Sequence, residues 1–253
     1  MRTPVELMAL HQEWAKMGDR AAQVAFQKQD WVLALQNWDG VARDEFTRAL
    51  LAWRSGVTSP APMLEAAIQA SESATSLIRS TELGPLRHVF YPVPGGYSAI
   101  LLDRLDSPAL DELRGRAGWP PPRGVSHDLP LEAWLARSLT TGETSGVDGA
   151  LEAIGRRKRT SLLAESFRTY LDLASAQASR SPGVVDRTRQ AVSLFAKRRR
   201  DPYFAGGLDN SGGDLNNDVV IDFHLAAIWH VRGWSVTELT GAERVHVMFG
   251  QDS

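Results

Sequence analysis

Apolar residues recur at steps of three and four along most of the chain, and this spacing predicts α-helices. The pattern is clearest over residues 30–53, where the apolar positions are Trp31, Leu35, Trp38, Ala42, Phe46, Ala49, Leu50 and Trp53. Gly40 either divides this stretch into two helices or only weakens one. Residues 63–78 predict another helix after the Ser-Pro-Ala-Pro break at 59–62, and a shorter amphipathic stretch begins at Val5.

The middle of the chain is less regular. Residues 89–97 contain β-forming residues, but their two prolines favour an extended connection over a central strand. Residues 98–105 and 107–114 predict short helices. Ser107 followed by Pro108 fits an N-cap with proline in the first helical turn.

Long helical patterns return in the second half of the chain. Helices are predicted over four stretches, residues 129–139, 147–178, 184–200 and 218–231. Gly233 is a suitable C-terminal stop for the last of them. The tail over residues 234–249 alternates weakly between apolar and polar positions, which is consistent with a short strand.

These elements predict an all-α protein. Successive helix pairs joined by short loops indicate an irregular helical-hairpin bundle or a repeat-like array, although no repeat of fixed length is found. We expect residues 1–253 to form a single helical domain. The loop with Trp119 beside three prolines makes residues 115–130 the best candidate for a hinge.

Composition narrows the class of protein. The 253 residues carry a formal charge of −2, so the whole chain has no bias towards nucleic acid or anionic membranes. The absence of cysteine excludes disulfides, thiolate zinc sites and a cysteine nucleophile. The N-terminus lacks the apolar core of a signal peptide, and no apolar run is long enough to span a bilayer. We therefore expect a cytoplasmic protein without a membrane partner.

Charge is unevenly distributed along the sequence. Residues 156–200 hold twelve Lys and Arg against three acids, a formal charge of +9. Residues 201–253 hold two Arg against eight acids, a formal charge of −6. The two segments either pack together and neutralise each other, or one of them faces a partner. A basic surface over 156–200 would suit nucleic acid, but the segment lacks the interleaved aromatic residues that stack on bases, so nucleic acid is the less favoured partner.

Most candidate chemistry in the sequence fails on spacing. The polar loop 209–218 resembles a calcium loop, but Val219 and Leu225 stand where an EF-hand needs glycine and a bidentate glutamate. His224 and His230 are six residues apart, whereas a helical zinc pair needs three or four. No nucleophile and base occur together in a recognisable motif. The sequence therefore predicts no enzyme, no metal site and no cofactor.

The segment 217–236, NDVVIDFHLAAIWHVRGWSV, resembles the terminal helix of all-α immunity proteins from bacterial polymorphic toxin systems, particularly immunity family 49. The residues that match are Leu225, Ala226, Ala227, Arg232, Gly233 and Trp234. The resemblance implies an immunity protein that binds and neutralises a cognate toxin, often a nuclease, in the cytoplasm of the producing cell. It supplies no fixed inhibitory residue.

Within that interpretation, the acidic segment is the predicted partner surface. We expect Asp209, Asp214, Asp218 and Asp222 to face the toxin and to cover a basic active-site groove. The competing expectation is that Asp222 pairs with an arginine from residues 156–200 and stabilises the fold. Two other functions stay open, a helical scaffold or adaptor with a host partner and a nucleic-acid-binding protein that uses residues 156–200. The oligomeric state is not predicted.

Overall fold

A computed structural model describes residues 3–81, 90–121, 128–158, 160–176, 182–201 and 221–247. Within these ranges the chain is 76% helical, with eleven helices and no strand, so the predicted all-α class is confirmed. The described residues form two compact units, one that ends at Gly115 and one that begins at Arg116. The division falls inside the segment 115–130, where the sequence predicts a hinge.

The first unit contains five helices that pack in chain order. They are α1 (Pro4–Gln27), α2 (Trp31–Ser55), α3 (Ala61–Ser80), α4 (Val93–Leu101) and α5 (Pro108–Arg114). The long helix α2 runs without a break through Gly40, since one glycine costs a helix only about 1 kcal/mol relative to alanine. Asp30 caps its first turn, and Gly56 ends it at φ 63°, in the left-handed region that favours glycine.

The extended connection predicted over residues 89–97 is wrong from Val93 onwards, where helix α4 begins. Pro94 lies in its first turn, where the missing N–H costs nothing, so the prolines begin a helix here. Gly95 and Gly96 allow close packing. A Cβ on Gly95 would overlap the hydroxyl of Ser71, and one on Gly96 would lie 2.5 Å from Leu113 Cδ2.

The second unit contains the other six helices. They are α6 (Asp128–Thr141), α7 (Val147–Gly155), α8 (Ser161–Ser175), α9 (Pro182–Arg200), α10 (Phe223–Arg232) and α11 (Gly241–Arg244). Helix α8 lies centrally, because α6, α7, α9 and α10 all pack against it. The predicted helix over 147–178 is two helices, α7 and α8, that are separated by a turn. The buried hydroxyl of Thr160 donates to the carbonyl of Ile154 across this turn.

The C-terminal part of this unit differs from the prediction in two places, the start of its helix and its tail. Helix α10 begins at Phe223 with Asp222 as its N-cap, five residues after the predicted start at residue 218. It ends as predicted at Gly233, which has φ 60°. The strand expected in the tail is wrong as far as residue 247, where the chain forms α11 and turns. None of the helices in the described ranges is long and apolar enough to cross a membrane.

Candidate functional site

The four acids predicted to bind a partner have different outcomes. Asp209, Asp214 and Asp218 lie outside the described residues, so their placement stays a prediction. Asp222 is described, and it is fully buried in the second unit. It therefore cannot present its carboxylate on the surface as the sequence analysis expected. The competing expectation was that Asp222 pairs with an arginine from residues 156–200. Asp222 is internal, as that expectation requires, but Arg198 of that segment acts on it through the shared hydroxyl of Tyr170 and through its nearby charge.

The carboxylate of Asp222 receives hydrogen bonds from two directions. Its Oδ1 accepts from the backbone N–H of His224 at 3.1 Å, which is the N-cap bond of α10. Its Oδ2 accepts from the hydroxyl of Tyr170 on α8 at 2.6 Å. Burial opposes ionisation, but these hydrogen bonds and the nearby charges of His224 and Arg198 hold the pKa of Asp222 below its ordinary value. Asp222 is therefore a buried carboxylate anion.

His224 joins α10 to α6. Both carboxylate oxygens of Glu132 lie 2.9 Å from its Nε2, and Asp222 Oδ1 lies 3.2 Å from its Nδ1. The imidazole also stacks on the ring of Tyr170 at a centroid distance of 4.8 Å. Burial alone would lower the pKa of His224, but the two carboxylates outweigh burial and raise it to about 9. The imidazole is therefore a cation between two anions at neutral pH.

Arg198, near the end of α9, supplies the second cation. Its guanidinium donates to the hydroxyl of Tyr170 at 3.0 Å and lies 5.7 Å from the centre of that ring. Burial lowers the pKa of Arg198, but the polar and acidic groups around it outweigh burial and raise it. Burial also raises the pKa of Tyr170 well above its ordinary value, so the phenol stays neutral. Two anions, Asp222 and Glu132, thus offset two cations.

Glu132, Asp222 and His224 are residue types that catalytic sites use, but their surroundings argue for a structural role. All three are at most 5% exposed, and each is held by the others or by Tyr170. Breaking such a buried set is costly, because an unpaired charge would stay in the interior. Across the described ranges, no group of three or more His, Asp and Glu could hold a metal ion. We conclude that this network ties α6, α8, α9 and α10 together.

Arginine side chains of the basic segment 156–200 also pair with carboxylates within the second unit. The guanidinium of Arg189 on α9 donates to Glu243 of α11 at 3.0 Å, and it also contacts Asp186. Arg187 lies 4.0 Å from Asp172. Arg189 with Glu243, and Arg198 near Asp222 in the buried network, bring the two oppositely charged segments together. Asp172 and Asp186 belong to the basic segment itself, so their contacts neutralise charge within that segment.

An exposed aromatic cluster lies in the first unit, at the turn between α1 and α2. Phe26 is 46% exposed, and its ring contacts Trp31 at 5.4 Å and Trp38 at 5.7 Å between centroids. The two tryptophans are half-buried and pack on a core that includes Ala25, Leu35 and Leu77. Their inner faces therefore belong to the core, while Phe26 extends the aromatic surface into solvent.

Two of these aromatic residues, Phe26 and Trp38, line an open groove of about 540 Å³ between α1, α2 and α3. Its lining combines aromatic, amide and hydroxyl side chains with one carboxylate: Gln23, Phe26, Gln27, Trp38, Glu72, Ser73, Ser76, Leu77 and Ser80. Exposed aromatic groups beside adaptable hydrogen-bonding groups are typical of surfaces that bind proteins. We call this feature the α1–α3 groove.

Trp31 and Trp38 lie on the predicted apolar stripe of α2, and each is buried for only part of its side chain. Phe26 belongs to no predicted stripe, because its neighbours along α1 are polar or small. The sequence signal for this exposed cluster is the pair of large aromatic residues, Phe26 and Trp31, on either side of the turn between two helices. Large apolar residues at the end of a helix are buried less than those in its middle. No protein-family model, curated protein or solved structure matches the chain.

Proposed function

We propose that this protein is an immunity protein, which binds a cognate bacterial toxin and neutralises it by covering the toxin's active site. In this proposal the toxin is a nuclease and the complex forms in the cytoplasm. Two independent features support it: the resemblance of residues 217–236 to immunity family 49, and the α1–α3 groove. The groove is the observation that carries the proposal, because a protein that works by binding needs an exposed surface of suitable composition.

Phe26 is the expected anchor of this interface. Binding energy at protein interfaces concentrates in a few aromatic residues that fill pockets on the partner. Phe26 is exposed and is held against Trp31 and Trp38, so little conformational freedom is lost when a partner covers it. The hydroxyls of Ser76 and Ser80 on the opposite wall offer hydrogen bonds to a toxin segment.

The acids at 209, 214 and 218 have a separate role in the proposal. They add negative potential that speeds the approach of a basic toxin, since nucleases that bind phosphate carry basic grooves. Asp222 has no part in this surface because its carboxylate is internal. The proposal also gives nucleic acid no role, since Arg187, Arg189 and Arg198 already contact acidic or phenolic groups of the same unit.

Co-expression with a candidate toxin domain, sought among the genes beside this chain's own, tests the proposal. We expect a bacterial host that makes the toxin to grow only when this protein is also made. Ser76→Arg places a long cation in the groove from an exposed position and should abolish protection. Ser193→Arg makes the same change at an exposed serine of α9, outside the groove, and should protect as the wild type does.

Each outcome bears on a different part of the proposal. Equal killing with and without the wild-type protein would contradict the immunity function. Full protection by Ser76→Arg would leave immunity standing but would contradict the α1–α3 groove as the interface.

A further inference from the structure

Helix α1 carries a second apolar stripe, apart from the one that packs against α2. The helix is covered along Met8, His11, Ala15, Ala22 and Ala25, which are all buried. A separate set of apolar residues follows steps of three, four, three, four and three: Leu7, Leu10, Trp14, Met17, Ala21 and Val24. We call this set the α1 seam.

Solvent reaches most of the α1 seam. Trp14 is 39% exposed, Met17 57% and Val24 49%, and Ala21 is exposed as well. Leu7 and Leu10 are half-buried. The ring of Trp14 packs edge-on against the buried ring of His11, 5.1 Å away between centroids. A helix at the edge of a bundle needs only one apolar stripe to fold, so the exposed remainder of the second stripe is not explained by the packing of the first unit.

The spacing of the α1 seam is that of a coiled coil. Alternating steps of three and four place successive residues at the a and d positions that pack into a facing helix. From Leu7 to Val24 the seam spans 18 residues, or about 26 Å of helix. That length suits a helix laid along the seam, rather than a loop or a small ligand.

We propose that the occupant of the α1 seam is the same seam on a second copy of this chain, paired in antiparallel orientation. Antiparallel pairing aligns Trp14 with Met17 of the copy and Leu10 with Ala21 of the copy, so bulky residues meet smaller or more flexible ones. A two-fold interface of this kind uses one patch twice and closes at the dimer.

The charges beside the seam support a second copy as the partner. Glu13 and Arg20 flank the seam on the side away from α2, where no buried α1 residue lies. They have opposite sign and lie almost symmetrically about the centre of the seam, so antiparallel pairing sets Glu13 against Arg20 of the copy, twice per dimer. A parallel pair would place Glu13 beside the copy's Gly18, which packs against α2 and carries no charge.

The remaining occupants fit α1 less well. Helices that lie on anionic membranes carry an excess of Lys and Arg on their polar face. Helix α1 has three acids, at positions 6, 13 and 19, against two bases, at positions 16 and 20. The seam also lies on a different side of α1 from Gln23, Phe26 and Gln27, which line the α1–α3 groove. Dimer formation and toxin binding therefore use different surfaces.

Sedimentation of the full chain between about 1 and 100 μM tests the proposal, since a micromolar dissociation constant is visible in this range. The wild type should dimerise. Met17→Glu places one charge per copy in the seam and should raise the dissociation constant roughly 100-fold. Ala9→Glu adds the same side chain at an exposed position of α1 outside the seam and should leave the dimer unchanged. Circular dichroism checks that each variant is folded. If Met17→Glu is unfolded, Val24→Glu replaces it as the seam variant.

Charge reversal tests the orientation. Glu13→Arg and Arg20→Glu should each weaken the dimer about three- to tenfold, because each sets like charges against each other twice. The double variant should dimerise nearly as well as the wild type. A wild type that is monomeric throughout would overturn the proposal, whether or not the seam binds vesicles or a toxin. A dimer that is unaffected by Met17→Glu would show that the α1 seam is not the interface. A double variant, Glu13→Arg with Arg20→Glu, that does not regain wild-type dimerisation would contradict the antiparallel pairing.

Discussion

Glu132 and His224 are 92 residues apart in the sequence, and both carboxylate oxygens of Glu132 lie 2.9 Å from the Nε2 atom of His224. This contact joins α6 to α10 and forms the centre of a buried network that also includes Asp222, Tyr170 and Arg198. Its charges offset one another within the second unit. We therefore expect the network to stabilise this unit and to make that stability depend on pH.

The raised pKa of His224 predicts that the protein loses stability at alkaline pH. The folded chain keeps its proton up to about pH 9, whereas the unfolded chain releases it near the ordinary value of 6.5. The resulting stabilisation is complete below about pH 6.5 and disappears as the pH rises through 9. Linkage puts the difference at about 3 kcal/mol. Urea unfolding from pH 6 to 9.5 should show this decline.

A stability that stays flat or rises over that range would contradict the protonated state of His224. Histidine NMR provides a direct check. The resonance that disappears in His224→Gln should titrate in the wild type with a midpoint near 9.

Glu132→Gln should destabilise the protein strongly, because it removes one anion from the network and leaves its partner cation buried. Loss of one member of a buried ion pair costs about 3–5 kcal/mol. The matched control is Glu152→Gln, which removes an exposed carboxylate that pairs with Arg156 on the surface. That change should alter the free energy of unfolding by less than about 1 kcal/mol. Equal effects of the two substitutions in urea unfolding would show that the buried contact is not important for stability.

Asp222→Asn should behave differently from the triple change of Asp209, Asp214 and Asp218 to asparagine. Asp222 is a buried N-cap that accepts from Tyr170, so its substitution should lower the melting temperature. We expect the triple variant to keep the wild-type melting temperature and to bind the toxin with slower association, because charges at an interface rim act mainly on the on-rate. Loss of stability in the triple variant, or none in Asp222→Asn, would reverse these roles.

Gly40→Ala and Gly95→Ala form a matched pair with opposite expected signs. Gly40 lies within α2 with no atom within 4 Å of an added Cβ, so alanine should stabilise the protein by about 0.5–1 kcal/mol. An added Cβ on Gly95 would overlap the hydroxyl of Ser71, so alanine should destabilise it by about 1–3 kcal/mol. Thermal unfolding distinguishes the two. Tolerance of Gly95→Ala would contradict the close packing of α3 and α4.

Local signals were enough to predict most of the helices. The stripe around Trp38 predicts α2, and Ser107 with Pro108 predicts the start of α5. The full length of α1 was missed, because its apolar residues divide between the buried face and the α1 seam and so blur a single stripe. The turn between α7 and α8 was missed because the apolar spacing continues across it.

The buried network could not be predicted from the sequence. His224 and His230 were considered only as a zinc pair, and two partners of His224, Glu132 and Tyr170, come from α6 and α8, far away in the chain. Asp222 carried a local signal, since an aspartate before an apolar helical run is a common N-cap. Its prediction as a surface residue relied on the acidity of the whole C-terminal segment, which says nothing about which acids are buried.

The toxin's own activity, measured as the purified toxin domain is titrated with this protein, tests the central claim most directly. We predict that activity falls to zero at one chain per toxin molecule and that Ser193→Arg inhibits equally well. Phe26→Asp should weaken inhibition roughly 30-fold or more, as expected when an aromatic anchor is lost. Toxin activity that persists in the presence of a large molar excess of the wild-type protein would contradict the proposed immunity function.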